Sequence, residues 1–173
     1  MHLREMCTQY NVLLIFDEVI SGFRVGFEGA AGLYKIKPDI ITFGKIIGGG
    51  MPVGAYAASN EIMNHVSPLG SVYQAGTLSG NPVAMAAGIA QLKECLKENF
   101  YHDLQRKTDM LVDGIKKNIE EKGYEITIYN IGSIFWFAFS DMTHLTRADQ
   151  INAGKMTLFA KVYHYLLENG IYF

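Results

Sequence analysis

Two residues stand where chemistry could occur. Lys45 lies in "ITFGKIIGGGMPVG", between an apolar run and the consecutive glycines Gly48, Gly49 and Gly50. Asp17 follows a second apolar run in "VLLIFDE". A lysine in such a setting could clamp a phosphate, attack a carbonyl carbon, or simply solvate a turn. A nucleotide P-loop needs its glycines before the Gly-Lys pair and a Ser or Thr directly after it. Here Ile46 follows Lys45 and the glycines lie downstream, so that reading fails on order alone.

A covalent role requires a dry amine that loses its proton readily. Burial between Phe43, Ile46 and Ile47 would supply this, because a low-dielectric surrounding disfavours the charged ammonium. The role also needs an electron sink. Pyridoxal 5'-phosphate is one when a carboxylate at the end of a buried strand keeps its ring nitrogen protonated. Asp17 is placed for that part. Taken singly, Lys45 reads equally well as a turn lysine and Asp17 as a strand-end or capping carboxylate. The pair is what carries weight.

The elements that would position them follow from the apolar pattern. Val12 to Phe16 is a short continuous run that fits a strand buried on both faces of a parallel sheet. Runs from Ile40 and over Val53 to Ala58 suggest two more strands, giving an α/β sheet. Pro82 near a first helical position predicts a helix over 82–99, and the apolar spacing of Leu104, Leu111, Ile115 and Ile119 predicts another over 101–122, stopping at Gly123. "YEITIYN" and "GSIFWFAFS" read as a strand pair, and 148–168 as a last helix ended by Asn169-Gly170. The predicted division is a site-bearing large-domain part over residues 1–99, with the long helix closing it, and a small α+β part over 100–173.

With 173 residues, 49% apolar content and a net charge of −2, the composition is that of a globular chain without a basic surface for nucleic acid. The apolar run at Ile134 to Phe139 is far shorter than the ~20 residues of a spanning helix, and the N-terminus does not resemble a signal peptide. Cys7 and Cys95 lack metal or disulfide spacing and read as reduced thiols of a cytoplasmic protein. His65, His102, His144 and His164 have no ligand spacing, so no metal is expected. Three readable strands form a small sheet and the chain stops on a strand-like "NGIYF", so both ends read as cut.

"LLIFDEVISGFRVG", "PDIITFGKIIGGGMPVGAY" and "YQAGTLSGNPVAMAAG" together resemble class-III pyridoxal-phosphate aminotransferases of fold type I, and the third segment looks most like the family's aminomutase branch. The resemblance implies the C-terminal part of the large α/β domain, with a mostly parallel sheet, followed by part of the small domain. It implies pyridoxal 5'-phosphate as cofactor and a small amino-aldehyde as substrate. Lys45 would form the Schiff base and shuttle protons, Asp17 would pair with the pyridine nitrogen, and Val19 would pack on a ring face. Thr77 and the Gly76 amide would bind the phosphate across a homodimer interface. Arg24 is read as an ion-pairing residue, and Glu18, pointing opposite to Asp17 on a strand, as a structural hydrogen-bonding group. An ω-aminotransferase and a non-catalytic truncated piece are the alternatives.

Overall fold

The computed structural model describes residues 2–140, 142 and 144–172. Contacts divide the chain into Met1–Leu104 and Gln105–Phe173.

The first unit opens with α1 (His2–Gln9), whose end is closed by the left-handed Asn11 and the Val12 amide donating to the Cys7 carbonyl. The strand β1 (Ile15–Glu18) therefore begins later than the apolar run does. The Leu14 amide is turned out of the ladder, donating to Asp39 Oδ2 at 2.7 Å, while its carbonyl accepts from the Asp39 and Ile40 amides where the pairing with β2 begins. Arg4 donates to the same Asp39 oxygen at 2.6 Å, tying α1 to the strand entry.

The Arg4 hydrogen bond, then the Leu14 amide, hold the Asp39 carboxyl below the usual carboxylate range, against a weaker opposing effect of burial. A depressed folded pKa means that this tie is fully present above the ordinary value near 4 and is lost as pH falls through the lower folded value. Hydrogen exchange at the Leu14 amide is expected to quicken on acidification below about pH 4, ahead of the amides of the strand pair in the second unit. Unchanged Leu14 protection through that range would remove the assignment.

After β1 come α2 (Gly29–Tyr34) and β2 (Ile40–Phe43), then β3 (Ala55–Ala58), α3 (Asn60–Met63) and α4 (Pro82–Cys95). β1 pairs parallel with β2, as the α/β reading requires. β3 pairs antiparallel with β2, so the sheet is parallel only between its first two strands. The link between them, residues 44–54, is a tight glycine-rich turn, and a parallel return needs a crossover of a dozen or more residues. Neither is β1 covered on both faces: Ile15 is 57% exposed, and Val12 and Leu13 are exposed as well.

Asn81 starts α4 by accepting from the Val83 and Ala84 amides, with Pro82 in the first turn. The helix stops at Cys95, short of the predicted Asn99: the Lys97 amide turns to the Glu94 carbonyl, three residues back, and the left-handed Asn99 (φ +61°) separates this turn from α5 (Phe100–Lys122).

The second unit contains most of α5 and the antiparallel pair β4 (Thr127–Ile131) and β5 (Ile134–Ala138). A two-residue turn with Gly132 at φ +55° joins them, and Tyr129 stacks on its register partner Trp136. Val112, Ile128 and Ala138 are its buried apolar residues. The last helix, α6 (Met156–Glu168), begins eight residues later than predicted. Gln150 Oε1 accepts the Thr146 and Arg147 amides, and Asn152 Oδ1 accepts the Gly154 amide, so two short 3-10 turns occupy the predicted first turns. Among the described residues no helix is long and apolar enough to cross a membrane.

Candidate active site

The carboxyl ends of β1 and β2 bring the predicted residues together. Asp17 lies opposite Thr42 and Glu18 opposite Phe43, so Lys45 follows two residues beyond the end of the paired segment. Side chains alternate along a strand, and the two carboxylates separate accordingly. Asp17 is exposed, with Oδ1 accepting the Val19 amide at 3.1 Å and Thr42 Oγ1 standing at 3.5 Å, the outer limit of a hydrogen bond. Among the described residues nothing donates to its Oδ2. Glu18 is 1% exposed and faces the interior, where it makes the structural hydrogen bonds expected of it. Val19 packs on the residue before Lys45: its Cγ1 is 3.1 Å from where a Cβ on Gly44 would lie.

Lys45 has φ +49°, in the left-handed region that non-glycine residues rarely adopt. Such backbone costs on the order of 1–3 kcal/mol and persists only where its surroundings enforce it. The enforcement comes from α4. Lys45–Gly48 form a 3-10 turn whose backbone lies directly on that helix. A Cβ on Gly88 would come within 2.4 Å of the Ile47 carbonyl oxygen, and one on Gly49, itself at φ +58°, within 2.4 Å of the Ala87 carbonyl oxygen. These contacts are backbone to backbone, and a methyl group at either position would push the lysine turn off the helix.

Gly48 and Gly49 pack on Val53 and α4, while nothing lies within 4 Å of a Cβ built on Gly50 or Gly54. The expected burial of Lys45 is not met within this chain, where the residue is exposed. Phe43 turns its ring to Phe23, 5.3 Å away, and Ile47 lines a groove beside α4, which leaves the amine uncovered within this chain. Ile46, Phe23 and Arg24 join Lys45 around an opening of about 460 Å³, with Gln91, Cys95 and Phe100 behind. Tyr101 donates to the Phe23 carbonyl at 3.1 Å, and burial, helped by the nearby Cys95 thiol, holds its phenol above the ordinary range.

Gly76 and Thr77 are exposed in the turn leading to α4. Gly76 lines a different groove, of about 500 Å³, with Ile47, Val53, Leu78, Met85 and Ile89. Asp17, Val19 and Lys45 thus stand at or just beyond the carboxyl ends of neighbouring strands, whereas Thr77 lies in the exposed turn before α4. Sequence reasoning missed two structural devices: the seating of the lysine turn on Gly88, and the cradle around Glu18. Small residues at Gly88 and Gly29 were visible, but what they approach is a tertiary matter.

A lysine and a carboxylate at the carboxyl ends of adjacent parallel strands define an α/β protein whose site lies at its sheet edge, where such folds place ligands. The family model described as aminotransferase class-III matches residues 1–173, and the chain belongs to that family. It is 51% identical over 171 residues to a glutamate-1-semialdehyde 2,1-aminomutase of Legionella pneumophila (strain Lens), covering 99% of this chain and 40% of that protein. Among solved structures, an omega-transaminase from Sphaerobacter thermophilus superposes with TM-score 0.85 at 30% identity, covering 99% of this chain and 40% of that one. A glutamate-1-semialdehyde aminomutase from Pseudomonas aeruginosa PAO1, solved in complex with PMP, gives TM-score 0.81 at 27% identity over 98% of this chain and 40% of that one. The chain therefore spans about 40% of the length of these relatives.

Proposed function

We propose that these residues form the lysine-bearing part of a glutamate-1-semialdehyde 2,1-aminomutase, a pyridoxal-phosphate-dependent isomerase yielding 5-aminolevulinate. The observation that carries the reading is the 51% identity to an aminomutase along nearly the whole chain. The residues present fit the cofactor on their own chemistry. Asp17 offers an open carboxylate oxygen to a ring N–H, and Lys45 presents an exposed amine held at a strained turn beside it. Residues 1–99 belong in this reading to the large domain and 100–173 to the small one.

When bound, the cofactor supplies an electron sink for the carbon that exchanges its proton. Asp17 holds the proton on the ring nitrogen by its negative charge. Lys45 Nζ would hold the cofactor and carry a proton, as a general base and then a general acid. Val19, packed against Gly44, would lie against a face of the ring. Thr77 Oγ1 and the Gly76 amide of each chain bind the phosphate held by the other copy in a homodimer. The separate groove lined by Gly76 supports this, since in one chain it is not the opening that Lys45 lines. A cytoplasmic location accords with the unpaired thiols of Cys7 and Cys95.

The structural likeness to an omega-transaminase favours a second reading, in which amino groups pass between separate donor and acceptor molecules. Supplying the full-length protein containing these residues with glutamate 1-semialdehyde alone separates the two. Many turnovers without an added amino donor are expected of the aminomutase. Strict dependence on a second donor would remove it in favour of the transaminase.

A further inference from the structure

We propose that Glu18 is a positioning residue that fixes the direction of Asp17 from the opposite face of β1. The inference rests on the reading of Asp17 as the ring-facing carboxylate. A carboxylate offers only acceptors, and all three partners of Glu18 are donors. Ser21 Oγ donates to Oε2 at 2.5 Å, the Ala30 amide to Oε2 at 2.9 Å, and the Ala31 amide to Oε1 at 2.7 Å. The two amides belong to the first turn of α2, where backbone donors have no partner within the helix.

The surroundings are shaped to this one side chain. Gly29 takes φ +62°, and a Cβ there would lie 2.5 Å from Glu18 Oε2. A Cβ on Gly22 would lie 2.7 Å from the Glu18 carbonyl oxygen, which accepts the Gly22 amide at 2.9 Å. Glu18 is thus gripped at its carboxylate and at its carbonyl.

The need for such a grip follows from the strand. β1 has four residues and pairs in parallel with β2. Consecutive side chains on a strand point oppositely, so any rotation of the backbone at Glu18 re-aims Asp17. The direct restraints on Asp17 are the Val19 amide and the distant Thr42 hydroxyl. Ordering the carboxylate before a ring nitrogen arrives is the kind of preorganisation that electrostatic stabilisation depends on.

The test needs no cofactor and so stands apart from the aminomutase assay. In the cofactor-free chain, Glu18→Gln keeps size but turns an amide NH2 toward a donor. Hydrogen exchange at the Val19 amide is expected to accelerate about tenfold or more, with a shift of the Asp17 carboxyl carbon resonance, while amides of β4 and β5 keep their protection as the mark of a folded chain. Ser21→Ala removes one donor only and is expected to give the same two changes, smaller in size. It decides the matter if Glu18→Gln does not fold. Faster exchange confined to Ala30 and Ala31, with Val19 and the Asp17 resonance as in the wild type, would show a mere strand-to-helix tie and overturn the proposal.

Discussion

Replacement of Lys45 by alanine is expected to erase the covalent cofactor site and leave the fold standing. The side chain is exposed, and both residues meet the same strained φ at this position. Stability should therefore change by no more than about 0.5 kcal/mol, as for other surface substitutions. In the proposed function two roles go with the amine: the anchor and the proton carrier. Losing a positioned acid-base group alone costs about 10²–10⁴-fold in rate, and an anchor acting as a unit with it takes the loss to the upper end or beyond. The check is borohydride reduction in the presence of pyridoxal phosphate, followed by peptide mapping. In the wild type the label is expected on the peptide containing Lys45, and in Lys45→Ala it is absent. A label spread over surface lysines in the wild type, or turnover retained in the variant, would remove Lys45 from the mechanism.

Asp17→Asn separates charge from anchoring. Asparagine keeps the volume and an oxygen that can accept the Val19 amide, so the strand end has no reason to move. What disappears is the negative charge that, in the proposed role, keeps a ring nitrogen protonated, and with it the electron sink. Loss of one preorganised electrostatic contribution typically costs on the order of 10²–10³-fold in rate. Turnover of the full-length protein should fall by about that much while the reducible label on Lys45 remains. Retained label with lost turnover is the signature that distinguishes this variant from Lys45→Ala. Wild-type turnover in Asp17→Asn would show that the carboxylate is only a strand-end group.

The two sets of residues differ in how far they could be read before folding. Lys45, Asp17 and "GTLSGNP" declare themselves because each requirement is local: a strand end, a following turn, a proline entering a helix. The opposite directions of Asp17 and Glu18 follow from the two-residue period of a strand. α5 was legible for a similar reason, since its apolar spacing runs unbroken to Gly123, and so was the pairing of β4 with β5.

Competition among hydrogen-bonding groups was less legible. The start of β1 is delayed because Asp39 claims the Leu14 amide, and the start of α6 because Gln150 and Asn152 claim amides that a helix would use. Between α4 and α5 the Lys97 amide turns to the Glu94 carbonyl and Asn99 adopts a left-handed backbone, neither of which a helical pattern reveals.

By itself, then, the amino-acid sequence determined which residues could do chemistry and on which element each sits, because spacing and residue type are local properties. The tertiary structure alone decided that β3 returns antiparallel, that Lys45 is exposed, and that the glycine turn presses its backbone on Gly88 of α4. It also decided that Glu18 is held by the first turn of α2. Those outcomes depend on which groups meet across the chain, and no periodicity records a contact between distant residues.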